Sequence, residues 1–412
     1  MRRCTVSAVF NTFLLLSACS GADWPQWRGP NRDGTVVGVT LPQAWATTLK
    51  QVWETNVGQG LSSPVVVDDR IYVHSRREPD EMVSCLDLAD GKTIWTGRYP
   101  APWEIQPGAG NDKGPHSTPT VQGDGVFTLG VSGVLTRWDA RTGDVKWRRS
   151  PPAGARGAVP QYGAALSPLV SDGLVFAHGA VEHQTALAAF DAATGEMKWA
   201  WTNSVPSYAS PILVEFAGQR QLVVLSESKL AAFSPADGKV LWHRNLRPRN
   251  SYENIITPVQ FKDLLIYAQT GYPEIIAVRV VRNGDAFRLE EVWTNREHRL
   301  SECTPIVVGE LLMGLSSGKV GHLFCLDAAT GRTLWEHGSG LQSEVPPVNA
   351  GGVVVVVTKG ILITLLRPNP ERYEPVAEWK GPVNAIHVGP VFLGDRILVW
   401  DSRALRLFRL AK

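Results

Sequence analysis

Eight tryptophans at a near-regular pitch leave this chain few folds to choose from. Trp53, Trp95, Trp147, Trp199, Trp242, Trp293, Trp335 and Trp379 stand 42, 52, 52, 43, 51, 42 and 44 residues apart. Five of them end copies of one phrase. These are Asp87-Leu-Ala-Asp-Gly-Lys-Thr-Ile-Trp95, Asp139-Ala-Arg-Thr-Gly-Asp-Val-Lys-Trp147, Asp191-Ala-Ala-Thr-Gly-Glu-Met-Lys-Trp199, Ser234-Pro-Ala-Asp-Gly-Lys-Val-Leu-Trp242 and Asp327-Ala-Ala-Thr-Gly-Arg-Thr-Leu-Trp335. Self-similarity at this period marks an array or a propeller. A second register runs beside the first. A small or polar residue followed by Pro recurs at Ser63-Pro64, Thr118-Pro119, Ser167-Pro168, Ser210-Pro211, Thr257-Pro258, Thr304-Pro305, Pro346-Pro347 and Gly389-Pro390. Pro suits the first residue of a strand, where no ladder donor is needed.

Each unit therefore reads as four short strands. In the phrase, Asp can accept backbone N–H groups and Gly can take a left-handed angle without steric cost. A helical reading fails, because 39 Gly and 28 Pro punctuate β-branched runs throughout. The last unit stops at Lys412 without its Trp, and Gln51-Val-Trp53-Glu-Thr-Asn56 at the other end supplies the missing strand. The expected fold is all-β: an eight-bladed β-propeller of four-stranded blades over 50–412, closed by the N-terminal strand completing the last blade.

Residues 1–18 read as a signal peptide. Arg2 and Arg3 form a charged start, and Val6 to Leu16 is an apolar run too short to span a bilayer. Leu16-Ser-Ala-Cys19 follows directly and resembles the bacterial lipobox, which makes Cys19 the lipidated first residue of an exported chain. An ordinary cleaved leader with a chance cysteine is the other reading. The expected location is the outer membrane, facing the periplasm, or the periplasm itself. Residues 19–49 form an arm in which Trp24 and Trp27 should pack onto the body. Without Arg2 and Arg3 the chain carries 39 basic against 39 acidic residues, which gives no drive towards nucleic acid. Cys85, Cys303 and Cys325 are expected as buried free thiols. Gly314-Leu-Ser-Ser-Gly318 resembles a nucleophile elbow, but it falls in a strand-to-strand turn where the elbow needs a strand and a helix.

The Asp-Ala-x-Thr-Gly-x-x-x-Trp phrase, the eight units and the N-terminal closure resemble the pyrroloquinoline-quinone (PQQ)-type β-propellers. The resemblance covers nearly all of the mature chain. It implies that the eight Trp form a structural girdle, and it leaves two functions open. Quinoprotein dehydrogenases of this type hold PQQ and calcium over the channel, above an adjacent cysteine pair that this sequence lacks. Lipoproteins of the β-barrel assembly machinery use the same wheel as a non-catalytic scaffold. The expectation favoured here is a monomeric envelope lipoprotein that presents a loop-rich face to a protein or polymer partner without catalysis. The alternative is a PQQ- or metal-dependent oxidoreductase with its site at the channel mouth.

The loop-rich face carries the variable segments 98–115, 150–163, 244–253 and 294–301. Three residues before each strand-one Pro stand Leu61, His116, Ala165, Tyr208, Ile255, Glu302, Glu344 and His387, with Asn254 beside them. His116, Tyr208, Asn254, Glu302, Glu344 and His387 are the expected ligand-binding residues. Two His and two Glu can bind a divalent metal or move a proton; an ordinary hydrated channel is the other reading. Arg148, Arg149, Arg156, Arg244, Arg247, Arg249, Arg296 and Arg299 on the same face suggest an acidic ligand or partner patch; a solvated rim is the other reading.

Overall fold

The computed structural model describes residues 23–103, 114–151, 162–181, 184–247, 254–284, 286–300, 302–316, 321–339, 341, 345–358, 362–381, 389–401 and 403–411. These residues form eight four-stranded antiparallel sheets. In seven of them the strands follow in chain order from the channel outward, as in Val65–Val67, Arg70–Arg77, Asp80–Asp87 and Thr93–Pro100 of blade 1. In the eighth, Val391–Phe392, Arg396–Trp400 and Ala404–Ala411 take Trp45–Asn56 as their outer strand. Trp53 lies opposite Leu407 and Asn56 opposite Ala404. The ring closes as the sequence suggested. The closing strand starts at Trp45 rather than Gln51, because Trp45 packs edge-on against Trp379 with centroids 6.2 Å apart. The three inner cysteines are buried free thiols, and burial pushes Cys303 and Cys325 up to about 12.

The repeated phrase explains how blades adhere. Trp95 Nε1 donates to Ala140 O of the next blade at 3.1 Å, Trp147 to Ala192 O at 3.0 Å and Trp199 to Pro235 O at 3.0 Å. Trp53 reaches Leu88 O, Trp293 reaches Ala328 O, Trp335 reaches Asn369 O and Trp379 reaches Ala46 O. In each full copy of the phrase the acceptor is the residue after the Asp position. Asp139, Asp191 and Asp327 hold the turn by accepting two backbone N–H groups each. The turn's Gly then lies against the incoming indole. A Cβ on Gly195 would sit 2.7 Å from Trp147, and one on Gly91 2.6 Å from Trp53. Trp242 is the exception. Blade 5 lacks the phrase, and Trp242 Nε1 turns to Gln221 Oε1 of its own blade at 2.6 Å.

A second belt runs round the channel. Ser63 N donates to Thr118 Oγ1, Thr118 N to Ser167 Oγ, Ser167 N to Ser210 Oγ, Ser210 N to Thr257 Oγ1 and Thr257 N to Thr304 Oγ1, all at 3.0–3.1 Å. In blades 1 to 6 the residue before the strand-one Pro is small and hydroxylated for this reason. Pro346 and Gly389 have no hydroxyl and end the belt at blades 7 and 8.

The girdle makes a testable distinction between two glycines of equal backbone angle. Gly195 has φ 70° and faces Trp147, whereas Gly218 has φ 71° with nothing within 4 Å. Gly218→Ala should cost only the left-handed strain, about 1 kcal/mol. Gly195→Ala adds displacement of the indole and should cost about 3 kcal/mol. Urea unfolding of the two variants checks this.

Candidate functional site

The arm does more than pack onto the body: it enters the channel. Trp24 exchanges backbone hydrogen bonds with Val66 of blade 1 at 2.7 and 2.9 Å, and Val121 N of blade 2 donates to Pro25 O at 2.8 Å. On the way out, Val36 N donates to Asn349 O of blade 7 at 2.8 Å, and Asn349 N donates to Gly34 O at 2.9 Å. Between these points Arg28 Nη2 donates to Pro305 O of blade 6 at 2.8 Å. Arg32 Nη1 and Nη2 donate to Pro168 O and Ser167 O of blade 3 at 2.9 and 3.0 Å. These carbonyls lie where the inner strands start, so the arm spans the channel's depth. Trp27 lies between the two guanidinium carbons, 5.5 and 5.6 Å from its ring. Both arginines are buried and neither forms an ion pair among the described residues. Burial lowers Arg28 to about 10, and burial plus the charge of Arg28 lowers Arg32 to about 9. Both stay cationic at neutral pH, which gives the channel an electropositive centre.

The expected ring of ligands is placed only in part. His116 and Tyr208 are half-buried, Glu302 is exposed and Asn254 is buried. Tyr208 Oη accepts the N–H of Tyr162 at 3.0 Å, and the two rings meet edge-on. Asn254 Nδ2 donates to Ser226 O and Glu227 O at 2.8 and 3.1 Å, and its Oδ1 accepts Thr270 N–H at 3.2 Å. That side chain holds loops together. Glu344, His387 and the lipobox Cys19 lie outside the described residues. The described arginines of the face are tied down. Arg148 stacks over Tyr99 at 4.3 Å, Arg149 Nε donates to Gly195 O, Arg244 pairs with Glu291, and Arg247 and Arg296 converge on Glu274. They brace neighbouring segments; Arg156 and Arg249 lie outside the described residues.

Two polar groups escaped the sequence reading. Glu81 is fully buried at the seam of blades 1 and 2. It accepts Val131 N–H at 2.9 Å and the Tyr99 hydroxyl, with Arg76 Nη1 and His74 Nε2 each at 3.8 Å. The second group is His298, His322 and Glu336 on the loop-rich face between blades 5 and 6. Their nitrogen and oxygen atoms lie within 4.8 Å of one another, and they are the one such group of His, Cys, Asp and Glu among the described residues. His298 is buried against Phe324, and desolvation lowers its pKa. The pairing of Phe324 with Glu336 sets Glu336 beside His322, and the loop between blades 5 and 6 brings His298 to them, so linear spacing gives no signal for the three.

Between blades 2 and 3 a cleft of about 370 Å³ is lined by Leu135, Arg149, His178, Phe190 and Met197, among others. Burial holds His178 down at about 4. In the unfolded chain this group titrates near the ordinary histidine value of about 6.5. Between pH ~6.5 and ~4 the unfolded state therefore binds a proton that the folded state refuses, and stability falls as pH falls, by up to about 3 kcal/mol. His178→Gln should flatten the acid limb of a urea-midpoint profile over that window. His74, lowered by burial in the same way, keeps the remaining slope. The arm gives a second test. Arg32→Ala leaves the Ser167 carbonyl without its donor, at about 1–3 kcal/mol, while Pro168 O keeps the Thr120 hydroxyl at 2.6 Å. Chymotrypsin should then cleave after Trp27 in the variant but not in the parent.

Comparison with known proteins adds the lineage. The family model described as "Outer membrane protein assembly factor BamB" matches residues 39–107, 79–337 and 290–369. Outer membrane protein assembly factor BamB of Burkholderia pseudomallei is 25% identical over 372 residues, covering 85% of each chain. Tetrathionate hydrolase of Acidithiobacillus ferrooxidans is 28% identical over 225 residues, which is 49% of this chain and only 40% of that enzyme. Among solved structures, a quinohemoprotein alcohol dehydrogenase from Comamonas testosteroni superposes with a TM-score of 0.67 at 16% identity, covering 97% of this chain and 82% of the other.

Proposed function

The chain belongs to the family of outer membrane protein assembly factor BamB, and from that membership we propose that it is a non-catalytic envelope scaffold. It binds a protein partner through its loop-rich face and serves outer membrane protein assembly. Lipid on Cys19 holds it at the periplasmic side of the outer membrane, as a monomeric wheel. The observation that carries this reading is the filled channel. Trp24, Arg28, Trp27 and Arg32 tie the arm to blades 1, 3 and 6 across the middle of the ring. A wheel braced in this way offers a partner a rigid face.

The oxidoreductase alternative needs a calcium and quinone seat at the mouth. The described residues fit one poorly. Asn254, the amide that would serve as a calcium ligand, spends its side chain on Ser226, Glu227 and Thr270. The space beneath is taken by Trp27 between two cations. No reaction step is assigned to a quinone here.

A photo-crosslinking residue at Arg296, on the loop-rich face, should capture a component of the barrel assembly machinery in a Gram-negative host. The same residue at Lys239, on the opposite turn face, should not. Equal capture from both faces, or from Lys239 alone, would sink the proposal, as would dye reduction by the purified chain after addition of PQQ and calcium.

A further inference from the structure

The polar group at the junction of blades 5 and 6 has no part in that scaffold reading. We propose that His298, His322 and Glu336 form a binding site for a divalent transition-metal ion of the zinc class. The three candidate ligand atoms are His298 Nδ1, His322 Nε2 and Glu336 Oε1. His298 Nδ1 lies 3.0 Å from His322 Nε2 and 3.7 Å from Glu336 Oε1, and His322 Nε2 lies 3.6 Å from the same oxygen. Ligands at about 2.0–2.1 Å around a tetrahedral ion are about 3.3–3.4 Å apart. The three edges bracket that spacing. Two imidazoles and one carboxylate suit zinc, cobalt(II) or nickel(II) better than calcium or magnesium, which seek oxygen.

The outer partners hold both rings in the ligating orientation. Thr333 donates its hydroxyl hydrogen to the Glu297 carboxylate. Its oxygen, 3.0 Å from His298 Nε2, is therefore left to accept that ring's N–H. The His298 proton stays on Nε2, and the Nδ1 lone pair faces the cluster. On the other ring, Ser316 Oγ lies 3.0 Å from His322 Nδ1 and accepts the His322 backbone N–H at 3.1 Å. Its hydroxyl can rotate to receive Nδ1–H, which frees the Nε2 lone pair. Without an ion, His322 Nε2–H donates to His298 Nδ1. With an ion, that proton moves to Nδ1 and the metal takes its place, so no net proton is lost. The Asn295 carboxamide fixes the loop by accepting the N–H of Glu297 and His298 at 3.0 and 3.2 Å. Hydroxyl and carboxylate partners of this kind orient metal-bound histidines.

Exposure rises across the set. The side chains of His298, His322 and Glu336 are 0%, 17% and 49% accessible. The ion enters beside Glu336 and keeps a fourth position for water or for a donor from a docked partner.

The test uses the full chain without a polyhistidine tag, titrated with cobalt(II) alone and, separately, with zinc in a calorimeter. The expected result is one ion per chain, with the visible bands of a four- or five-coordinate cobalt site. His322→Gln and Glu336→Gln, on the open side of the cluster, should each weaken binding at least about 100-fold. Thr333→Val removes no ligand, only the partner that orients His298, and should weaken it about 10–100-fold. Failure of either ion to bind at millimolar concentration overturns the proposal. Binding that is unchanged in both His322→Gln and Glu336→Gln overturns it as well.

Discussion

An indole laid on the glycine of the next blade is the contact on which this ring depends. Each such joint combines the burial of a large aromatic ring with one N–H···O=C bond. The glycine serves twice: it closes the turn at positive φ and leaves room for the ring. A blade alone would expose this surface on both sides, so the blades hold only as a circle. The joint between blades 4 and 5 departs from the others, because Trp242 bonds Gln221 within its own blade. That joint relies on packing and on Arg244 with Glu291, an exposed pair of small worth.

Much of this was legible in the sequence because it is local. Asp139 to Trp147 contains the turn, its acceptor and its indole within nine residues, and the tally of strands left a gap that only Trp53 could fill. What stayed hidden depends on relations between blades. The Ser and Thr before each Pro were visible as small residues, but their role in the inner belt appears only when Ser63 meets Thr118. His116, Tyr208, Glu302, Glu344 and His387 share one position of the repeat. The structure commits Asn254 to backbone partners and leaves Glu344 and His387 undescribed. His298, His322 and Glu336 were beyond reach, since cross-strand register and the loop between blades 5 and 6 together join them.

The buried cations of the arm show how such a wheel tolerates charge at its centre. Arg28 and Arg32 face backbone carbonyls and the Trp27 ring in place of carboxylates. Arg28 supplies a donor to Pro305 O and Arg32 one to Ser167 O, groups that burial would otherwise leave bare, while Pro168 O is shared between Arg32 and the Thr120 hydroxyl. Specificity for this arm follows, since a shorter or uncharged side chain would not reach blades 3 and 6 from the axis.

The way the ring closes also governs how the chain must fold. Trp45–Asn56 pairs with Ala404–Ala411, and Arg28 bonds a carbonyl 277 positions away. A polypeptide delivered amino end first thus carries an unmated outer strand and an unseated arm until its last strand arrives. Until then Trp45 and Leu49 of that outer strand lack the last blade that they pack against. Seven blades can form in passing, but the final blade and the axis are settled together in one late, long-range step. For this molecule the clasp is the slow part of assembly, and the interval before it is when association with a second copy competes with completion.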